Sequence, residues 1–314
     1  MMTMTTEPLM KTTTHPQNGN GTYSQIFRIQ TEALRAAHDF LGGKGLVQLM
    51  PVILSPVTDP LNHSVDEAYI TYNGQKLQLT KSMILHKQIA VSALDTRGIY
   101  IVSPNVRLER VQSSDRHLLE FSQLDIELKA ATASEFMALT EELMIYIISQ
   151  VKTTCADELE KLDATLKIPR RPFRIYTSWS LLERYGLHYE SEISRSEDDL
   201  FWISDFEREF YDREDPEHRG HYVNYDLFYP EGYQEALSGG ERDYEYDVLV
   251  RKIQERGQNP DDLAPYLDLA KAGMLGPSAG GGLGIERLIR FLTKRSNICE
   301  ITLFPRIPNS IIKI

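Results

Sequence analysis

Apolar positions Ile26, Ile29, Ala33, Leu34, Ala37 and Phe40 recur at steps of three and four residues, which predicts a helix with one buried stripe. Thr22 and Gln25 stand at capping-box spacing before it, and Gly42 and Gly43 follow as a stop. Leu46 to Leu54 reads as an apolar strand, but Pro51 inside it has no ladder donor, so an edge, a bulge or an interface position is expected. Between Lys76 and Leu128 the pattern is that of strands around one helix at Met83–Ala93. A second capping box, Thr132 and Glu135, introduces a long helix with Phe136, Leu139, Leu143, Ile147 and Val151 on one face. Residues 154–172 are charged, end in Pro-Arg-Arg-Pro and read as a connection. Farther on, strand-like runs at Asp199–Ile203 and Tyr222–Tyr229 alternate with helices, one capped at Asn259-Pro260 and stopped by Gly273. Helices around a largely antiparallel sheet imply an α+β domain.

Composition narrows this picture only a little. The chain has 314 residues, 41% hydrophobic and 25% charged, enough for one or two globular domains. Its formal charge is −11, so the basic footprint of a protein that lives on phosphate backbones is lacking overall, although an acidic total leaves room for a local basic groove. Cys155 and Cys299 form no CxxC pair, and two buried free thiols are a more economical reading than one disulfide. No signal-peptide core is visible, and no apolar run reaches the roughly 18 residues of a membrane span. A cytoplasmic location is expected. Residues 1–21, rich in Thr, Asn and Gly, are expected to form a flexible tail before a single domain over 22–314.

Three stretches carry candidate chemistry. Ile99–Glu109 and His117–Leu128 flank the polar loop VQSSDR and predict a long antiparallel hairpin. Alternation puts Leu124, Ile126 and Leu128 on one face and Phe121, Gln123, Asp125 and Glu127 on the other, with Arg107 and Glu109 two residues apart on the first strand. An arginine, an aromatic ring, an amide and carboxylates on one face suit a ligand; a solvated amphipathic hairpin is the plainer alternative. In the second stretch, PSAGGGLGIERLIRFL, Gly280, Gly281, Gly282 and Gly284 allow close backbone approach before a helix with Glu286 and Arg287, suited to phosphate, or else form a glycine-rich turn that packs the helix onto a sheet; it matches neither GxGxxG nor GxxxxGK[ST]. In the third, YQEALSGGERDYEYD, Glu235, Glu241 and Arg242 bracket a Ser-Gly-Gly turn suited to Mg²⁺ and to a substrate carboxylate, or else a solvated charged loop. His218 and His221 lack an evident third metal ligand, and HExxH and GxSxG are absent.

The order of these stretches resembles the three ordered motifs of class II aminoacyl-tRNA synthetases. SPNVRLE with RHLLEFSQLDIEL, SGGERDYEY, and GGGLGIERLIRFL with TLFPR resemble the aspartyl and asparaginyl branch. LTKSMILHKQ, FWISDFEREFYDRE and NYDLFYPEGYQEALSGGERDYEY are closer still to archaeal-type asparagine synthetases, which are similar to the aspartyl-tRNA synthetase catalytic domain without its anticodon-binding domain. The resemblance covers nearly everything from Tyr23 to Pro305. It implies an antiparallel sheet flanked by helices and a catalytic domain over 22–314.

It also implies roles. Arg107 contacts the ATP α-phosphate, Glu109 the adenine edge and Phe121 the adenine face; His117 and Arg287 hold the outer phosphates. Arg107 and Arg287 are then the catalytic pair, and Glu235 holds Mg²⁺. Asp125 binds the substrate ammonium with Gln123 beside it, and Lys87 and Arg242 bind carboxylate. Asparaginyl-tRNA synthetases usually lack a lysine matching Lys87, so aspartate is favoured. Lys81 and Ile84 replace the usual glutamines of the amino-acid pocket, Val106 replaces a phenylalanine, and Glu241 stands where glutamine is usual.

An N-terminal OB-fold would need on the order of 100 residues, whereas about 21 precede the first helix. The expectation is therefore an AMP-forming aspartate–ammonia ligase acting through a β-aspartyl-adenylate, with ATP and Mg²⁺, no membrane, tRNA an unlikely partner and a homodimer as the assembly. Alternatives are transfer to another amine, a truncated aspartyl- or asparaginyl-tRNA synthetase, and a non-catalytic regulatory paralogue. Glu241, an acidic departure near the carboxylate pocket, is a candidate for deprotonating ammonium.

Overall fold

A computed structural model describes residues 11–12, 20–110 and 115–311. In chain order these form β1 (Lys11–Thr12), α1 (Asn20–Gly43), β2 (Val47–Gln48), β3 (Leu54–Ser55), β4 (Val65–Asp66), β5 (Tyr69–Tyr72), β6 (Gln75–Leu79) and α2 (Ile84–Ala93). Next come β7 (Gly98–Val106), β8 (Leu108–Glu109), β9 (Glu120–Lys129), α3 (Ala133–Thr154) and α4 (Ala156–Lys161). The remainder contributes β10 (Arg174–Thr177), α5 (Ser178–Tyr185), α6 (Tyr189–Ser196), β11 (Phe201–Ser204), β12 (Asn224–Tyr229) and β13 (Gln234–Glu241). The chain continues through α7 (Tyr246–Glu255), α8 (Ala264–Lys271), β14 (Ser278–Gly284), α9 (Ile285–Leu292) and β15 (Ser310–Ile311).

One eight-stranded sheet organises the α+β domain, in the order β10-β11-β12-β13-β14-β9-β7-β2. Its interior pairs are antiparallel, while β10–β11 and β2–β7 at the two edges are parallel. Helices α1, α3 and α9 cover one face, where Ile26, Ile29, Phe136, Leu143 and Leu288 pack on Leu124, Ile126, Leu237 and Leu283. The opposite face of β9 carries Gln123, Asp125 and Glu127 inward to a polar interior, as the alternation predicts. α2, α7 and α8 form a second apolar layer there with Phe210 and Tyr211.

The capping box at Thr132 and Glu135 is made in full, which fixes the start of α3. The one predicted at Thr22 is not a cap, because α1 already runs from Asn20. Lys11–Thr12, within the expected tail, pairs in parallel with Ser310–Ile311; most of the other tail residues lie outside the described residues. The Leu46–Leu54 run divides around Pro51 into β2, on the sheet edge, and β3, in a separate three-stranded sheet. Cys155 is buried and Cys299 half-buried, and both are free.

Neither expected glycine turn is a turn. Ser238-Gly239-Gly240 of β13 pairs antiparallel with Gly280–Gly282 of β14, and Gly284 ends β14 opposite Gln123 of β9. Glycine is needed because neighbouring side chains cross these strands: a Cβ on Gly280 would lie 1.8 Å from Glu127 Oε2, and one on Gly239 2.3 Å from the Gly280 carbonyl. Gly280→Ala is expected to cost about 1–3 kcal/mol through overpacking, read as a lowered urea midpoint; an unchanged midpoint would show that Glu127 moves aside freely.

Candidate active site

The β7–β9 hairpin sets the site because side chains two residues apart on β9 rise from the same face. Gln123 and Asp125 line a cavity of about 250 Å³ together with Lys87 from α2 and Arg242 just beyond β13. A narrower cleft beside it is lined by Glu109, His117, Phe121 and Arg287, and Arg107, Gln123, Glu235 and Gly282 border both spaces. All ten side chains to which the resemblance assigned ATP- or substrate-binding roles thus line one of two adjoining hollows.

Two cations of the cavity wall, Lys87 and Arg242, are held by buried carboxylates. Lys87 is buried, donating to Asp125 Oδ1 at 3.1 Å and to the Gly281 carbonyl at 3.0 Å, with Glu127 Oε2 at 3.6 Å. Arg242 is equally buried; its Nε donates to Glu127 Oε1 and an Nη to Asp212 Oδ1, both at 3.1 Å. Burial works against the Arg242 charge, but Glu127 and Asp212 outweigh it and strengthen the cation. Asp125 also accepts from Ser103 Oγ at 2.6 Å, and the Gln123 carbonyl oxygen accepts from Asn105 at 3.0 Å. Lys87 and Arg242 are therefore both anchored by buried carboxylates of the protein.

The narrower cleft is arranged differently. Arg107 donates through Nε to the Lys81 carbonyl at 2.9 Å, and its guanidinium lies 5.1 Å from the Phe121 ring centre, leaving it without an ion pair among the described residues. Arg287 pairs with Glu235 at 3.0 Å. Burial raises the Glu235 carboxyl, but Arg287, Arg208 and Arg116 overcome it and hold the group well below the usual carboxylate range. His117 is shifted down by burial and then by Arg287 and Arg116, so near neutral pH it offers an N–H donor rather than a cation. Burial raises Glu109, yet its 3.1 Å contact with His63, helped by His117, brings the net shift below normal.

Among the described residues no group of three His, Cys, Asp or Glu side chains could hold a metal by itself. A strongly ionised Glu235 at the junction of the two hollows nevertheless fits Mg²⁺, which is commonly bound by one or two carboxylates plus substrate phosphates. His218 and His221 engage Asp215 and Asp205 separately rather than forming a metal pair.

Glu241 is misplaced by the sequence reading. Its Oε1 accepts from the Ala133 amide at the start of α3 at 2.8 Å, and Oε2 pairs with Arg213 at 2.6 Å, away from the cavity. Strand alternation on β13 turns it to the helix-covered face while Arg242 enters the cavity. Glu241→Gln is expected to keep adenylation at the wild-type rate and to cost about 1 kcal/mol of stability, in the range of a weakened helix cap. Exchange kinetics and urea melts check both; a large kinetic loss would return Glu241 to the site.

Residues the sequence reading missed come mainly from DFEREFYD after β11. Arg208, Glu209, Tyr211 and Asp212 enter the cavity, and Asp59 faces them from the loop after β3. Arg208 forks onto Asp226 and also donates to Ser238 Oγ, while the Tyr211 hydroxyl donates to Asp59 Oδ2 at 3.1 Å. Their segment carried part of the family resemblance, but its mixture of charge and aromatics without strand or helix period gave no single residue a role.

Comparison with known proteins agrees with this geometry. Residues 11–308 match the family described as tRNA synthetases class II (D, K and N). The chain is 33% identical over 299 residues to an aspartate–tRNA(Asp/Asn) ligase of Methanopyrus kandleri, covering 90% of this chain and 67% of that protein. It is 29% identical to an asparagine–tRNA ligase of Pyrococcus abyssi, covering 91% and 69%. Asparaginyl-tRNA synthetase from Pyrococcus horikoshii, solved with asparaginyl-adenylate, superposes with a TM-score of 0.83 at 25% identity, over 93% of this chain and 70% of that one. With a match that runs through both hollows and the whole sheet, the chain belongs to the class II tRNA synthetases (D, K and N).

Proposed function

We propose that this protein activates aspartate with ATP and transfers the β-aspartyl group to ammonia, yielding asparagine, AMP and pyrophosphate. The observation that carries the activation step is Arg107, without an ion pair among the described residues and set where the amino-acid cavity meets the nucleotide cleft. An aspartate β-carboxylate oxygen attacks the α-phosphorus, the bond to the β-phosphate breaks, and pyrophosphate leaves. Arg107 offsets charge on the α-phosphate, Arg287 and His117 hold the outer phosphates, and Phe121 and Glu109 receive the base. Mg²⁺ held by Glu235 would supply further neutralisation of phosphate charge. No protein nucleophile is needed; positioning and preorganised charge supply the catalysis. Lys87 and Arg242 orient the α-carboxylate, and Asp125 with Gln123 the ammonium. A reversed pose of this two-ended substrate puts the β-carboxylate against ATP. We further propose a cytoplasmic homodimer; no helix among the described residues is long and apolar enough to cross a membrane.

A second reading, aspartylation or asparaginylation of tRNA, is favoured by the relatives, which are tRNA ligases by name. Another amine acceptor uses the same first step. The discriminating experiment supplies ATP, Mg²⁺ and aspartate, then ammonium or tRNA, and identifies products by mass spectrometry. Asparagine with AMP is the expected result. Aminoacyl-tRNA without asparagine would establish the second reading, and no aspartate-dependent ATP–pyrophosphate exchange would defeat activation itself.

A further inference from the structure

The second half of the proposed reaction sets a requirement that the first does not. Near neutral pH ammonia is mostly ammonium, which has no lone pair, so a proton must be removed before the acyl carbon can be attacked. The inference below rests on the amide-forming reading.

Most carboxylates around the cavity are already committed. Asp125 is held by Lys87 and Ser103, Asp212 by Arg242 and Asn224, and Glu235 by Arg287. Asp59 accepts from the Leu61 amide and the Tyr211 hydroxyl. Glu209 lines the same cavity, and the only hydrogen bond its carboxylate accepts among the described residues comes from its own backbone amide; no other residue's side chain bonds or pairs with it. The adjacent Arg208 is turned away onto Asp226 and Ser238. Asp59 and Asp212 flank Glu209, so this wall favours a small cation, whereas the Lys87 and Arg242 wall favours a carboxylate.

We propose that Glu209 receives the ammonium ion and takes its proton, making it the catalytic base of amide formation. An N–H bond of ammonium breaks and its proton passes to a Glu209 oxygen. The freed lone pair forms the new C–N bond at the acyl carbon. The acyl C–O bond to AMP breaks, its electron pair leaving on the AMP phosphate, and nitrogen loses its surplus proton to water. Burial, with Asp212 and Asp59 close by, lifts the Glu209 carboxyl above the ordinary carboxylate range, which matches its basicity to this task.

Hydroxylamine tests the idea because it is largely unprotonated at neutral pH and needs no base to expose its lone pair. In Glu209→Gln, asparagine formation from ammonium is expected to fall by about 10²-fold or more. Any fall in aspartate-dependent ATP–pyrophosphate exchange and aspartyl-hydroxamate formation should be much smaller than the fall with ammonium, and Glu209→Asp should recover part of the ammonium-dependent activity. Equal loss with both amines, loss of exchange in both variants, or unchanged asparagine formation would overturn the role. Failure of the unsubstituted protein to make asparagine while it exchanges pyrophosphate would instead defeat the ammonia reading beneath it.

Discussion

Arg107→Ala is expected to lower aspartate-dependent ATP–pyrophosphate exchange by roughly 10²–10³-fold, the range seen when one preorganised donor to developing charge is removed. The side chain is only half-buried, and its anchors are a carbonyl and an aromatic face. Its removal orphans no buried carboxylate, so the urea midpoint should hardly move. Arg107→Lys keeps the charge but loses the planar fork, and is expected to fall between wild type and alanine. Retained exchange in a folded alanine variant would remove Arg107 from the mechanism.

Arg242→Met should act in the opposite order, through stability first. Glu127 and Asp212 are both buried, and both are bonded to this guanidinium. Removing the cation leaves two carboxylates out of water with reduced compensation, and breaking a buried pair typically costs about 3–5 kcal/mol. The measurement is equilibrium urea unfolding, with the exchange assay run on whatever folded fraction remains. A loss below about 1 kcal/mol, the range of an exposed pair, would mean that water reaches Glu127 and Asp212 freely. Comparison with Glu241→Gln sharpens this test, because the two residues adjoin in sequence but serve opposite faces of the sheet.

Much of this was legible in the sequence where local rules and tertiary structure agree. The alternation from Phe121 to Leu128 separates core from cavity because β9 is regular, and Thr132 with Glu135 announces α3 because capping is local chemistry. The glycines misled because their reason is not local. A run at Gly280–Gly284 looks like a turn until Glu127, contributed by the neighbouring strand, is seen lying across it. Glu241 misled because the register of β13 decides its face, and that register is fixed by pairing with β12 and β14. Asp59 and Glu209 stayed hidden because about 150 residues separate them and only the packed fold brings them to one cavity.

Glu127 reaches both cations of the amino-acid cavity, Arg242 at 3.1 Å and Lys87 at 3.6 Å. Substitutions at those positions are therefore expected to be coupled: a neutral replacement of either cation changes the electrostatic surroundings of the other. Contacting residues of this kind show interaction energies of roughly 0.5–3 kcal/mol, enough to reverse the sign of a second substitution. A variant altered only at Lys87 would carry an excess buried negative charge, which a compensating change at Glu127 would relieve.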